Sequence, residues 1–420
     1  MNDLLEQYEE LLGSSVLDQL QQIATVLKGI KIVHINSTKF GGGVAEILNK
    51  MVPLTNALGL STHWETIKGT PEFFECTKVM HNTMQQRQGI LTNSMMKTFE
   101  EINAANAEEL RPILNDANIV FIHDPQPAAL IDHFPDRKGK WIWRCHIDAS
   151  HPSRTVWKYL SKFINKYDAS VFSLPDFVQS LPHPIYIILP SIDPLSEKNI
   201  DLSSQEILDF MTQFGIDPER KMLLQVSRFD YFKDPLGVIE AYRLVKKFKP
   251  EVQLVLAGGG ATDDPESEIV LNEVRKASKN DSDIHILFLP SDAHRTINAL
   301  QRASTIVIQK SLKEGFGLTV TEALWKSKPV IGGDTGGIRL QVIDHYTGFL
   351  VQSPEGAALR IRYLLQEVSE IEKMGQMGKL YVKENFLITR HLREYLTLIA
   401  TLLFPSDNRI ELNHFQSTAQ

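Results

Sequence analysis

The chain has 420 residues, which is too long for one ordinary core and predicts two or three domains of about 150 residues each. Its composition, 43% apolar and 23% charged, is that of an average globular protein and argues against disordered, fibrous and membrane-embedded classes. With 44 basic and 51 acidic residues the net charge is −7, so we expect no nucleic-acid partner.

The first predicted element is one amphipathic helix, because apolar residues recur at helical spacing from Leu4 to Leu27. Short β-rich segments then alternate with helix-length segments, which is the pattern of a parallel α/β sheet. The first series of predicted strands comprises 31–36, 62–67, 118–123, 141–146, 169–173 and 185–189. The second series comprises 222–227, 252–257, 284–289, 305–309 and 329–333.

A segment rich in Pro, Ser and Asp, 189–206, separates the two series, and we place the domain boundary within it, near residue 200. The predicted fold class is α/β, with two doubly wound Rossmann-like domains facing each other across a cleft. Open parallel sheets bind ligands at the carboxyl ends of their strands, so we expect the site in that cleft. The predicted segments are an acceptor-side domain at 1–200, a donor domain at 201–385, a helix crossing back to the N-terminal domain at 386–404, and a tail at 405–420.

Three glycines, Gly41 to Gly43, follow the first strand and precede a helix that starts near Val44. Backbone N–H groups at a helix N-terminus bind anions when no side chain is in the way, so we expect phosphate here. The nicotinamide fingerprint G-x-G-x-x-G is broken, because Glu46 occupies its third glycine position. A turn that serves only chain reversal is the alternative.

Charged side chains end two strands of the first series. The segment WIWRCHIDAS contains Arg144, His146 and Asp148, and the segment HDPQP adds Asp124. Alternation places the first three on one face while the chain is extended. A strand that ends in charged groups indicates a solvated or ligand-filled cleft, although a lone His is more often a satisfied hydrogen-bonding residue.

The second series opens with VSRFDYFKDPLGVIEAY, in which Arg228 and Lys233 lie in the loop after a strand. Asp234 and Pro235 predict the N-cap and the first residue of the next helix. A guanidinium and an ammonium beside a positive helix end suit a diphosphate. The alternatives are two solvated charges or an ion pair between Arg228 and Asp230.

In the segment KEGFGLTVTEALW, Glu314 precedes a Gly-Phe-Gly turn, and Glu322 lies eight positions on, within a helix that begins near Leu318. The first carboxylate can bind sugar hydroxyls, and the second can reach a ribose diol. Alternatively, Glu314 complements the helix dipole and Glu322 is an ordinary acid on the helix face.

The sequence does not support serine-hydrolase, zinc-protease or carboxylate metal-site chemistry. The motifs G-x-S-x-G and H-E-x-x-H are absent, and the D-x-D at 281–283 precedes a strand, so we expect a capped turn there rather than a metal site. Cys76 and Cys145 form no C-x-x-C pair, and we expect two small buried side chains. The longest apolar run, at 396–404, is too short to cross a membrane, and the acidic N-terminus is unlike a secretory signal, so we expect a cytoplasmic protein.

The ordered set of motifs resembles the trehalose glycosyltransferring synthases, which are retaining glycosyltransferases of family 4 with the two-Rossmann GT-B fold. The segments that carry this resemblance are GGGVAEIL, HDPQP, WRCHID, PSIDPLSEKN, SRFDYFKDPLGVIEAYR and QKSLKEGFGLTVTEALWKSKPVIGG. The resemblance implies transfer of glucose from a nucleoside-diphosphate glucose (NDP-glucose) to free glucose, giving α,α-trehalose with the donor's anomeric configuration kept. A retaining trehalose phosphorylase and a non-catalytic sugar-nucleotide-binding protein are the alternatives.

The resemblance also implies a role for each matching residue. The implied catalytic residues are Arg228 and Lys233 on the diphosphate, Glu314 on the donor glucose, and His146 against the donor sugar. The implied donor-binding residues are Gly42, Gly43, Phe316, Gly317, Leu318 and, on the ribose, Glu322. The implied acceptor-side residues are Asp124, Arg144, Asp148, His81 and Asn82, near which Met80 and Met84 replace the Phe and Leu expected for the family.

The implied mechanism is same-face attack, in which the leaving phosphate oxygen takes the acceptor's proton and no enzymic nucleophile is needed. Glu314 as a covalent nucleophile is the alternative. We expect NDP-glucose, glucose and trehalose as small-molecule partners, no required cofactor, and no protein-held catalytic Mg²⁺. A homodimer is a prediction from base rates alone.

Overall fold

The computed structural model describes residues 3–39, 42–85, 89–259 and 265–405. The chain divides into two compact units: the first runs to Pro190 and resumes at Ile388, and the second runs from Ser191 to Leu387. The sequence places the boundary near residue 200, whereas the division in the structure falls ten residues earlier, after Pro190. Gly41, which belongs to the predicted glycine loop, and the tail from residue 406 onward lie outside the described residues.

All the strand pairs among the described residues are parallel. The strands of the first unit are β1 Lys31–Asn36, β2 Ser61–Thr66, β3 Ile119–His123, β4 Lys140–Cys145, β5 Ala169–Phe172 and β6 Ile185–Ile187. The strands of the second unit are β7 Met222–Val226, β8 Gln253–Gly258, β9 Ile284–Phe288, β10 Ile306–Gln309, β11 Val330–Gly333 and β12 Gly348–Val351.

Most strands are separated by α-helices, and two pairs, β3–β4 and β5–β6, are joined by a 3₁₀ turn instead. The α-helices of the described residues are α1 Asp3–Leu12, α2 Ser14–Val26, α3 Gly43–Ala57, α4 Pro71–Met84, α5 Asn93–Asp116, α6 Arg154–Ile164, α7 Ser204–Gln213, α8 Pro235–Lys246, α9 Pro265–Ser278, α10 His294–Ala303, α11 Leu318–Trp325, α12 Ile338–Gln341, α13 Pro354–Gln366, α14 Val368–Asn385 and α15 Ile388–Leu403.

The two sheets are doubly wound, as the sequence predicts. The strand order is β2-β1-β3-β4-β5-β6 in the first unit and β12-β11-β10-β7-β8-β9 in the second. The direction of winding changes between β1 and β3 in one sheet and between β7 and β10 in the other. Ligands of such sheets bind beside the carboxyl ends of the strands at this switch point. We therefore expect ligand-binding residues in the loops after β1 and β3 of the first unit and after β7 and β10 of the second.

Burial on both faces explains why these strands are recognisable as apolar runs. Every residue of β3, β7 and β8 is buried, as expected for a parallel sheet covered by helices on each side. All eleven predicted strands are present, each within two residues of its predicted bounds. Among the described residues, β12 is the strand that was not predicted from the sequence.

The opening segment forms two helices, so the prediction of one continuous helix is wrong. Gly13 separates α1 from α2 and has a φ of 91°, a left-handed conformation that ordinary residues rarely adopt. Its N–H donates to the Glu9 carbonyl at 2.8 Å, which ends α1. The last helix, α15, packs within the first unit, where the Arg393 guanidinium donates to Gln19 Oε1 at 2.7 Å.

Among the helices of the described residues, including α15 with its apolar run, none has the length and apolar character that crossing a bilayer requires. The thiols of Cys76 and Cys145 are free and buried, as the sequence predicts.

Candidate functional site

The second unit brings together two of the predicted site residues at its switch point. Lys233 lies in a 3₁₀ turn, Tyr231–Lys233, after β7, and Glu314 lies in the loop after β10. The Lys233 ammonium donates to both carboxylate oxygens of Glu314, at 2.8 Å to Oε1 and 2.7 Å to Oε2. Ser311 Oγ donates to Oε2 at 3.2 Å. The Glu314 carboxylate is therefore oriented from two sides.

Further contacts fasten these two loops to each other. The Leu312 N–H donates to the Phe232 carbonyl at 2.7 Å, and Gln225 Nε2 donates to the Lys233 carbonyl at 2.7 Å. The ammonium of Lys310, which is only 4% exposed, pairs with the Asp234 carboxylate. Because two of these contacts connect the loops and the third holds Lys233 to strand β7, the Lys233 and Glu314 side chains meet on a rigid backbone.

The helices that begin at this switch point differ in how their N-termini are capped. Asp234 is the N-cap of α8 and Pro235 its first residue, as predicted, and the Asp234 carboxylate accepts the Gly237 N–H at 3.1 Å. Helix α11 begins at Leu318, also as predicted, but its N-cap is Gly317, with a φ of 86° and no capping side chain. The first N–H groups of α11 thus have no side-chain cap, which suits an anion.

A Gly-Gly turn after β11, which was not predicted from the sequence, supports the Glu314 loop. A Cβ on Gly336 would lie 1.7 Å from the Glu314 carbonyl oxygen, and one on Gly337 would lie 2.5 Å from Phe316 Cα. The Gly337 N–H donates to the Gly315 carbonyl at 3.1 Å. The signal was available in the sequence, because a strand followed by Asp-Thr-Gly-Gly marks a close approach of two backbones.

Two other predicted donor-site residues of the second unit lie in contrasting environments. The Arg228 side chain is 57% exposed, and its Nη2 lies 3.7 Å from Asp230 Oδ2, so the ion pair that the sequence allowed is present. The Glu322 side chain is 3% exposed and lies 3.8 Å from Lys198 Nζ. Because it is buried beside a lysine, Glu322 is not an ordinary acid on a solvated helix face.

The D-x-D segment forms a capped turn, as predicted, and its carboxylates are also ion-paired. The Asp281 carboxylate accepts the Asp283 N–H at 3.1 Å, and the Asp283 carboxylate lies 2.7 Å from both Arg220 and Lys246. Hydrogen bonds from these two cations lower the pKa of Asp283 to about 2. Over the described ranges there is no group of three or more His, Cys, Asp or Glu side chains that could bind a metal ion.

In the first unit, α3 begins at Gly43, one residue before the predicted start. Its N-cap is Gly42, which is exposed, has a φ of 82° and offers no capping side chain. A Cβ on Gly42 would meet no atom within 4 Å, so the glycine is required by the backbone conformation and not by crowding. The N-terminus of α3 resembles that of α11 in this respect.

Asp124 and His146 meet where β3 and β4 end. The His146 N–H donates to Asp124 Oδ1 at 2.7 Å, and the Asp124 N–H donates to the Arg144 carbonyl at 2.8 Å. Asp124 adopts a φ of 64°, which is uncommon outside glycine. Burial raises the pKa of the Asp124 carboxyl to about 7, although the His146 N–H and the Arg144 cation oppose this shift.

The other predicted acceptor-side residues lie in different environments. Arg144 is fully buried and donates to Ser173 Oγ at 3.2 Å and to the Ile188 carbonyl at 2.8 Å. Asp148 is partly buried and accepts the Ser150 N–H at 2.9 Å. His81 and Asn82 lie in α4, where His81 contacts Gln85 at 3.0 Å.

The two methionines that depart from the family pattern are part of the core. Met80 and Met84 are fully buried in α4. Substitution at these two positions therefore acts through the packing of the first unit's interior.

We expect Asp124→Asn to raise the thermal unfolding midpoint at about pH 8 and to change it little at about pH 5. Since the pKa of this carboxyl rises from 3.8 to about 7 on folding, the folded protein retains a proton that the unfolded chain has released in this window. Stability is therefore lost as the pH rises, and a neutral amide removes that loss. Differential scanning calorimetry at the two pH values measures the effect.

The matched control is Asp283→Asn, because the pKa of Asp283 is about 2 and its carboxyl stays ionised at both pH values. Its effect on the midpoint should be the same at each. An equal effect of Asp124→Asn at both pH values would contradict the raised pKa.

Comparison with known proteins gives consistent results over both units. The family model described as "Trehalose synthase, N-terminal domain" matches residues 34–179, and that described as "Glycosyl transferases group 1" matches residues 207–381. A trehalose synthase from Thermococcus litoralis is 47% identical over 94% of this chain and 96% of the relative. A trehalose phosphorylase from Pleurotus pulmonarius is 28% identical over 91% of this chain and 59% of the relative.

Among solved structures, a UDP-forming α,α-trehalose-phosphate synthase from Burkholderia xenovorans superposes with a TM-score of 0.72. It is 15% identical, and the match covers 90% of this chain and 99% of that chain. At this identity the likeness concerns the fold.

Proposed function

Because the chain belongs to the trehalose synthase family and is a glycosyltransferase of the GT-B fold, we propose that it transfers glucose from an NDP-glucose to free glucose. The product is α,α-trehalose, and the anomeric configuration of the donor glucose is kept. The observation that carries this proposal is the Lys233–Glu314 pair beside the uncapped N-terminus of α11.

The chemical task is to separate an anionic diphosphate from a glucosyl group that becomes positively charged. An ammonium has three N–H donors, so Lys233 can keep Glu314 and still donate to a phosphate oxygen. The exposed Arg228 guanidinium and the first N–H groups of α11 supply further donors. Fixed donors aimed at the leaving diphosphate lower the barrier to its departure.

Glu314 acts in this proposal as a ligand of the donor glucose and not as a covalent nucleophile. Both of its carboxylate oxygens accept hydrogen bonds from Lys233, and one also accepts from Ser311. These bonds occupy both carboxylate oxygens and fix their direction, which disfavours attack on carbon. Retention then follows from same-face attack, in which the leaving phosphate oxygen takes the proton of the acceptor hydroxyl.

Residues of the first unit have proposed roles as well. We propose that the N–H groups at Gly42 and Gly43 bind an anionic part of the donor, since α3 has no capping side chain. His146 contacts the donor sugar, and Asp124 fixes the backbone of His146 through its N–H. In the second unit, Glu322 binds the ribose.

The test is to incubate the pure protein with glucose and, in turn, ADP-, UDP- and GDP-glucose. We expect trehalose with at least one donor, and we expect proton NMR to find only the α,α isomer. Adding trehalose and the matching nucleoside diphosphate should regenerate the sugar nucleotide. No transfer from any of the donors would reject the proposal.

Two other outcomes would assign a different function. Release of glucose 1-phosphate from trehalose and orthophosphate, with no nucleotide requirement, would indicate a phosphorylase. Thermal stabilisation by a sugar nucleotide without any turnover would indicate a binding protein.

A further inference from the structure

Three histidine rings form a continuous line through the first unit. His34 lies within β1, His123 is the last residue of β3, and His146 follows β4. His34 Nδ1 lies 3.0 Å from His123 Nε2, and His123 Nδ1 lies 2.9 Å from His146 Nε2. The first two rings are almost fully buried, with 3% and 2% of their surface exposed. Neither His34 nor His123 was among the site residues predicted from the sequence.

The rings meet edge to edge. Their centres are 5.3 Å apart for the first pair and 5.2 Å for the second, and the ring planes differ by 28° and 22°. Each distance between ring centres exceeds the corresponding N···N distance by about the width of one ring. The two nitrogens therefore lie between the ring centres and point at each other. Both contacts therefore have the geometry of N–H···N hydrogen bonds.

The sheet fixes the positions of these rings. His34 stands opposite Phe121 in the β1–β3 register, and His123 stands opposite Arg144 in the β3–β4 register. The His34 ring also stacks on the Phe121 ring at 4.9 Å with planes 7° apart, and Tyr395 of α15 packs on both. Because parallel strands and a helix surround the line, its members cannot turn away from one another.

All three rings are neutral near pH 7. Burial lowers the pKa of His34 to about 3. Burial also lowers the pKa of His123 and of His146 well below the ordinary value, and the neighbouring Arg144 cation adds to the effect. A neutral imidazole carries one N–H donor and one acceptor nitrogen. Each contact in the line therefore needs a donor on one ring and an acceptor on the other.

This requirement couples the tautomers. If His146 donates from Nε2, then His123 also donates from Nε2, and His34 accepts at Nδ1, so all three carry the proton on Nε2. If His34 donates from Nδ1, all three carry it on Nδ1. No other neutral arrangement makes both hydrogen bonds.

We propose that His34 and His123 are positioning residues that hold His146 in the same tautomer as their own rings. His34 does so without reaching the site, because its influence passes through His123. The inference rests on the proposed function, in which the His146 ring contacts the donor sugar. A fixed tautomer presents the sugar hydroxyls with a constant donor or acceptor at His146 Nδ1, and a mixture of tautomers would weaken that contact.

The first test uses the unaltered protein, labelled with ¹⁵N-histidine. Two-bond nitrogen–proton correlation spectra distinguish Nδ1–H from Nε2–H rings, and single substitutions assign the three signals. We expect all three rings to be neutral and to share one tautomer. Different tautomers within the line, or a protonated ring near pH 7, would overturn the proposal.

The second test breaks the line at its inner end. His34→Phe keeps an aromatic ring against Phe121 but removes the hydrogen bond, and His34→Asn restores a donor and an acceptor near the position of Nδ1. We expect His34→Phe to give a mixture of His146 tautomers and to lower kcat by about tenfold with little change in the donor KM. In His34→Asn, the single tautomer should return and kcat should recover to within about threefold.

Phe121→Leu is the matched control, because it removes the stacking partner of His34 and leaves both N···N contacts. A purely structural role predicts that Phe121→Leu and His34→Phe lower stability and activity together, with one His146 tautomer in each. That result would overturn the proposal, as would a tautomer change without loss of kcat. If the unaltered protein transfers no glucose, the proposed function fails, and the spectra still decide whether the line fixes the tautomer.

Discussion

Replacement of Lys233 by methionine is expected to lower kcat/KM for the NDP-glucose donor by about 10²–10³-fold, because it removes a fixed charge aimed at the leaving diphosphate. The methionine side chain keeps most of the lysine stem, so packing against the loop is largely retained. The substitution also leaves Glu314, whose side chain is only 9% exposed, without its cation. Steady-state kinetics with saturating glucose measure the loss.

Comparison with Glu314→Gln separates two effects of Lys233→Met: the loss of a charge acting on the diphosphate and the loss of the cation that balances Glu314. A neutral amide at position 314 can still contact Lys233 but no longer balances its charge. If Lys233 acts on the diphosphate, Lys233→Met with Glu314→Gln should be slower than Glu314→Gln alone. If the lysine served only to balance Glu314, the double substitution would be no slower than Glu314→Gln alone.

Lys247→Met is the charge-matched control, since Lys247 is exposed at the end of α8. It changes net charge by the same amount and should leave kcat/KM unaltered. Activity of Lys233→Met within about threefold of the unaltered protein would contradict the assigned role of this lysine.

The second large effect is expected from Gly336→Ala. The added methyl would lie 1.7 Å from the Glu314 carbonyl oxygen, and the backbone at this position has a φ of 46°. The Glu314 loop must shift to accommodate the methyl, and a shift of about 1 Å at a catalytic group can cost about 10²-fold in rate. We expect that loss in kcat/KM, together with a lower thermal unfolding midpoint measured by calorimetry.

Gly356→Ala is the corresponding control. Gly356 lies in the first turn of α13, where an added Cβ would approach nothing closer than 3.6 Å. An alanine in a helix favours the folded state by roughly 0.5–1 kcal/mol over glycine, so this variant should be active and slightly more stable. The contact between the Gly-Gly turn and the Glu314 loop would be disproved if Gly336→Ala behaved in the same way.

The fold could be predicted from the sequence because buried parallel strands are continuous apolar runs between helices. Strand β12 was missed because its four residues, GFLV, begin with a glycine, which is typical of a turn. The opening helix was predicted as one because the apolar spacing continues across Gly13. Spacing contains no information about φ, and the left-handed conformation of that glycine ends the first helix.

The candidate site was predictable to a different extent in each unit. Lys233 and Glu314 were identified separately from the loops that carry them, but their contact across 81 positions depends on β10 lying beside β7. His34 was not predicted as a site residue because it lies inside a strand, where a histidine looks like any other buried core residue. His123 was passed over in favour of its neighbour Asp124. Only the register of three strands brings these histidines into line with His146.

The first unit is assembled from both ends of the chain, and this bears on how it folds during synthesis. Tyr395 of α15 packs on Phe121 of β3 with ring centres 4.8 Å apart. The ribosome completes all of the second unit before it makes this helix. Until then, this apolar face of the nascent first unit stays uncovered, while the second unit is already able to fold. The second unit can therefore complete its folding before the first, which reverses the usual N-to-C order of domain folding.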